Sequence, residues 1–337
     1  MEPWGREPAG RLDEHELESE ALRGNPLGDP HRRPLWVYTP PGAADDPLPA
    51  LFLIQGHTGQ LDMWRNRSAF RPNVLELVDR LFAEEACAPA RVVFVDAWTS
   101  YGGSQFIDSP GVGNYLDYLC DDVVGFVDER YPTLASRDHR GLTGKSSGGY
   151  GAMVVPMLRP DVFGALASHA GDALFEACYL PEFPNAARTL RDDFEGSWDV
   201  LFERLRDADH SFFDRFRPFE IYGYAAAYSP DPARPGRALV PFDANGRLNG
   251  DVWEQWLLKD PVRMAPGHSE ALRSMKRIYL DAGRGDEFFL DLGAQAFAAA
   301  LDRIEVEYTL ELFDGKHGGL TYRYPGAIRE LVLALTP

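Results

Sequence analysis

Cysteine is scarce in this chain of 337 residues: Cys87, Cys120 and Cys178 are all that it has. An odd number with no C-x-x-C pair and no metal-ligand spacing excludes a disulfide framework and a cysteine-built zinc site, and points to inert thiols in a reducing compartment. Positive charge is short as well. Lys and Arg number 34 against 52 Asp and Glu, a net charge of −18, which opposes nucleic acid and anionic lipid as partners through bulk electrostatics. No apolar run approaches the roughly 18 residues that span a bilayer. The amino-terminal stretch MEPWGREPAGRLDEHELESE has neither the basic n-region nor the apolar h-region of a secretory signal. The expectation is a cytoplasmic protein with no nucleic-acid and no membrane partner. Internal repeats and low-complexity tracts are also missing, which excludes solenoids and fibres.

What is present is a globular composition, 45% hydrophobic and 12% aromatic, in which short β-branched or aromatic runs alternate with longer helical patterns. The strand candidates are LWVYT (35–39), ALFLIQ (50–55), RVVFVDA (91–97), HRGLTG (139–144), GALASHA (164–170), RIYLDAG (277–283) and VEYTLELF (306–313). Between them VLELVDRLFAEE, YLDYLCDDVVGFVDER, GYGAMVVPMLR and FFLDLGAQAFAAALDRI repeat apolar residues at three and four. This alternation predicts an α/β fold, a mostly parallel central sheet flanked by helices. Residues 1–34 read as an N-terminal extension and 35–337 as the domain. One region breaks the rhythm: from 171 to 276 no strand is legible and Phe, Tyr, Trp and Pro are dense. Its length predicts a lid-like or helical insertion before the penultimate strand, either roofing a cleft or packing as a lobe of its own.

The stretch GLTGKSSGGYGA at 141–152 carries two chemistries in principle. A phosphate loop requires G-x-x-x-x-G-K-[ST], and the position that must be its first glycine is His139. That reading fails. The other is the nucleophile elbow G-x-S-x-G, Gly144-Lys145-Ser146-Ser147-Gly148, a tight strand-to-helix turn that small residues permit and that aims helix N–H groups at the reaction site. In a chain with 32 glycines the pentapeptide alone is weak, so its partners decide.

A serine hydroxyl needs a base, and the base needs an acid that fixes its tautomer. Beyond RIYLDAG the chain reads GRGDEF, and beyond VEYTLELF it reads DGKHGG. Ser146, Asp286 and His317 therefore follow in the order serine, acid, histidine, each past the carboxyl end of a strand, where open α/β sheets build their sites. Asp281 and Glu287 are the competing acids; Asp286 is preferred because a loop residue reaches the histidine more freely than one held in the sheet. The oxyanion hole requires the main-chain N–H of Ser147 and a second from the loop LFLIQGHTGQ, that of His57 or Thr58, with His57 the first choice and its imidazole expected to be solvated. The loop at 98–115 follows a strand on the same side of the sheet, and Trp98, Tyr101 and Gln105 are candidate substrate contacts.

VYTPPG (38–42 in its last five residues), LIQGHTG (53–59), the tract 118–131, TGKSSGGYGA (143–152), DAGRGDEF (281–288) and DGKHGG (314–319) together resemble the esterase branch of the α/β-hydrolases. That branch holds esterase D (S-formylglutathione hydrolase), enterochelin and feruloyl esterases and the mycolyltransferases. The resemblance covers most of 35–337 outside the insertion and implies the α/β-hydrolase fold, a Ser146–His317–Asp286 triad, and hydrolysis of a small-molecule carboxylic ester or thioester, or acyl transfer. It implies no cofactor and no metal, and leaves a homo-oligomer open. A noncatalytic binding protein of the same fold is the alternative. Two departures stand out: Lys145 sits where better-known members often carry histidine, and the insertion matches no characterised lid.

Overall fold

The computed structural model describes residues 7–68, 70–206 and 217–337; the expectations at 1–6 of the extension and 207–216 of the insertion lie outside the described residues. Eight strands form one sheet: β1 (Arg11–Glu18), β2 (Arg32–Thr39), β3 (Ala50–Ile54), β4 (Arg91–Val95), β5 (Arg140–Lys145), β6 (Ala165–His169), β7 (Arg277–Gly283) and β8 (Thr309–Phe313). Their order across the sheet is β1-β2-β4-β3-β5-β6-β7-β8. From β4 to β8 every pairing is parallel, and β2 and β1 join antiparallel at one edge.

All seven strand candidates form strands of this sheet. The eighth, β1, lies inside the stretch expected to be an extension before the domain, so the sheet begins at residue 11 rather than 35. Its sequence RLDEHELE buries only Leu17. An edge strand exposes one side of its ladder, and charged side chains there discourage pairing with another chain; the same charges hide it from a search for apolar alternation. The central strands β3, β4 and β6 are buried along their whole length, as continuous apolar runs covered on both faces must be.

Helices α1 (Val74–Ala83) and α9 (Tyr324–Leu335) cover one face, packing Val78, Leu331 and Val332 on Leu51, Phe94 and Ala167. On the other lie α2 (Val124–Arg130), α3 (Ser147–Leu158) and α8 (Leu290–Arg303), packed on Phe52, Leu166 and Leu280. The described part of the insertion is helical: α4 (Phe183–Asp193), α5 (Trp198–Arg206), α6 (Arg217–Tyr228) and α7 (Gly250–Leu257). Its aromatics fall into two groups. Phe183 packs edge to face on Trp253 and on Trp256, which are tilted against each other, while Tyr179 and Tyr224 reach the cavity described below. None of the described helices is long and apolar enough to cross a membrane. Cys120 and Cys178 are buried free thiols and Cys87 is half-buried; burial pushes all three above the ordinary thiol range, which suits inert side chains.

Candidate active site

The parallel register lines up the carboxyl ends of the central strands: Ile54 pairs with Gly144, Gly144 with Ser168, and the next row runs Lys145, His169, Asp281, Glu311. Loops leaving this edge carry the candidate residues. Ser146 turns the chain from β5 into α3 with φ 59° and ψ −125°, a conformation that L-residues avoid and that costs on the order of 1–3 kcal/mol. Its N–H donates to the carbonyls of His169 (3.0 Å) and Ala170 (3.1 Å), which holds the strained turn. A Cβ on Gly144 would stand 2.6 Å from the Gly148 carbonyl and from the Ile54 carbonyl. The elbow closes only because both positions are glycine.

His317, in the loop after β8, presents its Nε2 to the Ser146 hydroxyl at 3.1 Å and its Nδ1 to Asp286 Oδ2 at 2.9 Å. The other carboxylate oxygen accepts the Phe288 N–H at 2.9 Å, so Asp286, with its side chain fully buried, is fixed from two sides. Glu287 accepts the main-chain N–H of His317 at 3.0 Å and steadies the loop. Phe288 meets the His317 ring edge to face at 4.8 Å. Asp281 is engaged elsewhere, bonded to His169 Nδ1 at 2.8 Å and Arg323 Nε at 2.9 Å. Of the three acids weighed from sequence, the geometry brings Asp286 to the imidazole.

Two main-chain N–H groups flank Ser146. Ser147 is the first residue of α3 and its N–H has no intrahelical acceptor. In the loop after β3 the Thr58 N–H is spent on Gly102 O at 2.8 Å, which leaves His57 as the remaining candidate for a second donor. Gly56 brings that loop close: a Cβ there would meet the Lys145 carbonyl at 3.1 Å and Ser146 Cβ at 3.4 Å.

The His57 imidazole is not solvated as expected. Both ring nitrogens are buried without a partner among the described residues, and burial pushes the ring down to about 3. It fills a slot in which a Cβ on Gly102 would be 2.6 Å from Nε2 and one on Gly223 2.6 Å from Cε1, beside the ring of Tyr224 at 4.7 Å. The ring thus plugs the loop after β3 onto helix α6 of the insertion, and stays neutral because nothing there compensates a charge.

A cavity of about 720 Å³ opens over Ser146 and His317, a size that suits a small-molecule ligand. Trp64, Tyr179, Ile221 and Tyr224 give it an apolar wall, with Asp172 and Glu220 among its polar groups. The loop residues expected at the substrate lie elsewhere. Trp98 is half-buried and offers its carbonyl to Arg33 and to the Tyr115 hydroxyl. The Tyr101 hydroxyl donates to Gly236 O at 2.8 Å. Gln105 is buried behind the wall, donating to Tyr228 Oη at 2.8 Å. The insertion packs over this loop and takes its place at the cavity. Asp172 and Glu220 were not legible as site residues, although Asp172 stands three residues past the end of β6, the same kind of position that identifies Asp286 and His317. Lys145 also faces the cavity; burial lowers its ammonium below the ordinary lysine value, against Asp286, Asp172 and Glu287, which raise it.

The Esterase family model matches residues 30–319. The chain belongs to the Esterase family. Among solved structures, a ferulic acid esterase superposes with a TM-score of 0.60 at 19% identity, covering 98% of each chain. An S-formylglutathione hydrolase from Agrobacterium tumefaciens gives 0.60 at 15% identity, again covering 98% of each chain. The S-formylglutathione hydrolase FrmB of Staphylococcus aureus gives 0.55 at 15%, covering 97% of this chain and 99% of that one. At such identities these neighbours establish the α/β-hydrolase fold. An uncharacterized protein of Corynebacterium glutamicum is 26% identical over 144 residues, 41% of this chain; the match takes in 32% of that protein's length.

Proposed function

We propose that this member of the Esterase family hydrolyses small-molecule carboxylic esters through an acyl-enzyme on Ser146. The observation that carries the reading is the unbroken run of hydrogen bonds from Asp286 through His317 to the Ser146 hydroxyl, 2.9 and 3.1 Å long, at the floor of the cavity. With Asp286 holding the proton of Nδ1, Nε2 is free to accept the hydroxyl proton. The serine oxygen then bonds to the ester carbonyl carbon, and the carbonyl oxygen becomes an oxyanion that the His57 and Ser147 N–H groups stabilise. Collapse breaks the bond to the alcohol, which leaves with the proton carried by His317. A water molecule gives its proton to His317, attacks the acyl carbon, and the acid departs as Ser146 recovers its proton. Nothing in this cycle calls for a metal or an organic cofactor.

The test is labelling with a fluorophosphonate probe together with a series of p-nitrophenyl esters of increasing acyl length, on the wild type and on Ser146→Ala. Label on Ser146 and turnover abolished in the variant are expected. Equal hydrolysis by both proteins, or an unlabelled Ser146 beside measurable turnover, defeats the reading.

A further inference from the structure

The hydrolytic cycle leaves one wall of the cavity unused. Asp172 follows β6 in the loop His169-Ala170-Gly171-Asp172 and is only 3% exposed. Its Oδ2 is well occupied: the Tyr179 hydroxyl donates at 2.8 Å, the Ser147 hydroxyl at 3.1 Å, and Gln105 Nε2 stands at 3.5 Å. Its Oδ1 accepts nothing among the described residues and borders the cavity. Glu220, in the first turn of α6, lines the same space; Arg217 donates to its Oε2 at 2.6 Å and also reaches Glu182 at 2.9 Å, leaving Oε1 without a donor among the described residues. Burial, the largest influence on both, lifts the two carboxyls above their ordinary range, Glu220 to about 7, and Asp172 adds to the shift of Glu220. Lys145 lines the same cavity and its ammonium feels the Asp172 charge, but it forms no ion pair with either carboxyl among the described residues.

A carboxylate taken out of water is expensive unless charge and hydrogen bonds compensate it. The hydroxyls on Asp172 supply hydrogen bonds to one oxygen and no charge. We propose that Asp172, with Glu220 beside it, is a subsite for a primary ammonium group, so that the esters this protein takes carry an amine in the part that lies along the Tyr179–Tyr224 wall. An ammonium brings three donors and a compact charge, and the aromatic rings of the wall favour a cation. A neutral hydroxyl satisfies a lone pair but gives the carboxylate no ion-pair partner, and an anionic group is repelled. The net charge of −18 attracts the same class of ligand at long range. The reaction in this inference rests on the esterase reading; the binding does not.

The experiment therefore has two arms. Turnover is compared for the butanoate esters of 4-(aminomethyl)benzyl, 4-(hydroxymethyl)benzyl and 4-ethylbenzyl alcohol, which share size and shape. Binding of 4-methylbenzylammonium and of 4-methylbenzyl alcohol is measured by calorimetry on the wild type, with no turnover needed. The ammonium ester should exceed both neutral esters by about tenfold or more in kcat/KM, as a charge-assisted contact implies. That ratio should collapse in Asp172→Asn and fall in Glu220→Gln, which reads the subsite independently if the first variant fails to fold. A hydroxymethyl ester as good as the ammonium ester, or a ratio unchanged in the folded variants, overturns the subsite. Turnover of all three esters with no ammonium preference in either arm sinks the subsite alone, whereas tight ammonium binding with no ester turned over sinks the esterase reading and leaves the subsite standing.

Discussion

Two histidine–aspartate pairs sit along the same carboxyl edge of the sheet, and their environments differ on one side of the ring. His317 pairs Nδ1 with Asp286 at 2.9 Å and turns Nε2 to a serine hydroxyl, from which it can accept, at 3.1 Å, under a cavity. His169 gives Nδ1 to Asp281 at 2.8 Å, but its Nε2 has no partner among the described residues and its side chain is sealed at 0% exposure against Tyr324. Register explains the second pair: His169 and Asp281 are cross-strand neighbours on β6 and β7, with Glu311 next to them on β8. Arg323 closes that row, bonding Asp281 and Glu311. A carboxylate on an imidazole is therefore not sufficient for catalysis. What counts is whether the far nitrogen meets a reacting atom or a wall.

Breaking the first pair should give the largest effect. Ser146→Ala and His317→Ala should each remove about 10⁶ of the rate on an ester, and Asp286→Asn about 10⁴, with kcat falling in steady-state assays and urea midpoints close to the wild type. Asp281→Asn should do the reverse. Removing one partner of a buried charged cluster costs about 3–5 kcal/mol, so urea unfolding should show a loss of that order while kcat/KM on the folded protein changes by less than about tenfold. An Asp281→Asn protein as stable as wild type but catalytically dead would exchange the roles of the two pairs.

Acidification sharpens the same contrast. Burial is the largest single influence on the Asp281 carboxyl and pushes it up, but His169 and Arg323 together outweigh it and hold the group below its ordinary value of 3.8. A depressed native value means stability that is present above about 3.8 and lost as the pH falls through the native value. The acid limb of a stability–pH profile should accordingly be shallower in Asp281→Asn than in wild type. If the two limbs run parallel, the Arg323 and His169 contacts do not stabilise the charged form.

These residues were unequally legible. The convergence of Ser146, Asp286 and His317 was legible because strand ends, a glycine turn and chain order constrain one another: Asp286 and His317 each fall in a Gly-rich loop past a strand that its own apolar run reveals. His169 and Asp281 were hidden because their pairing depends on strand order β6-β7 and register, which a single sequence does not carry. Asp172 follows the strand-end rule too, but it opens a long insertion with no motif around it, and besides nearby Tyr179 its partners Ser147 and Gln105 come from earlier, separate parts of the chain. Edge strand β1 is hidden for a local reason, its charges, and nothing in the loop of Trp98, Tyr101 and Gln105, candidates for substrate contact, announces that the insertion covers it. His57 was misjudged on the same ground: the glycines that seal it, Gly102 and Gly223, are 121 positions apart in the chain.

His57 extends the comparison to a histidine with no carboxylate at all. Its ring titrates near 6.5 unfolded and about 3 folded, so between those values the unfolded chain holds a proton that the native one lacks, and this group makes stability rise with pH. Glu220 does the opposite: ordinarily near 4.5 and about 7 in the fold, it holds a proton in the native state that the unfolded chain has released, and makes stability fall with pH. Over the window from about pH 5 to 6.5 the two oppose each other, each at roughly 1.4 kcal/mol per pH unit. Relative to wild type, the stability of His57→Leu should thus slope downward as pH rises through that window, and that of Glu220→Gln upward, with the double variant returning close to the wild-type slope. Urea unfolding at three pH values across the window reads all four proteins. Slopes of the same sign in the two single variants would show that the imidazole slot and the cavity wall do not hold their protons as the burial of each group requires.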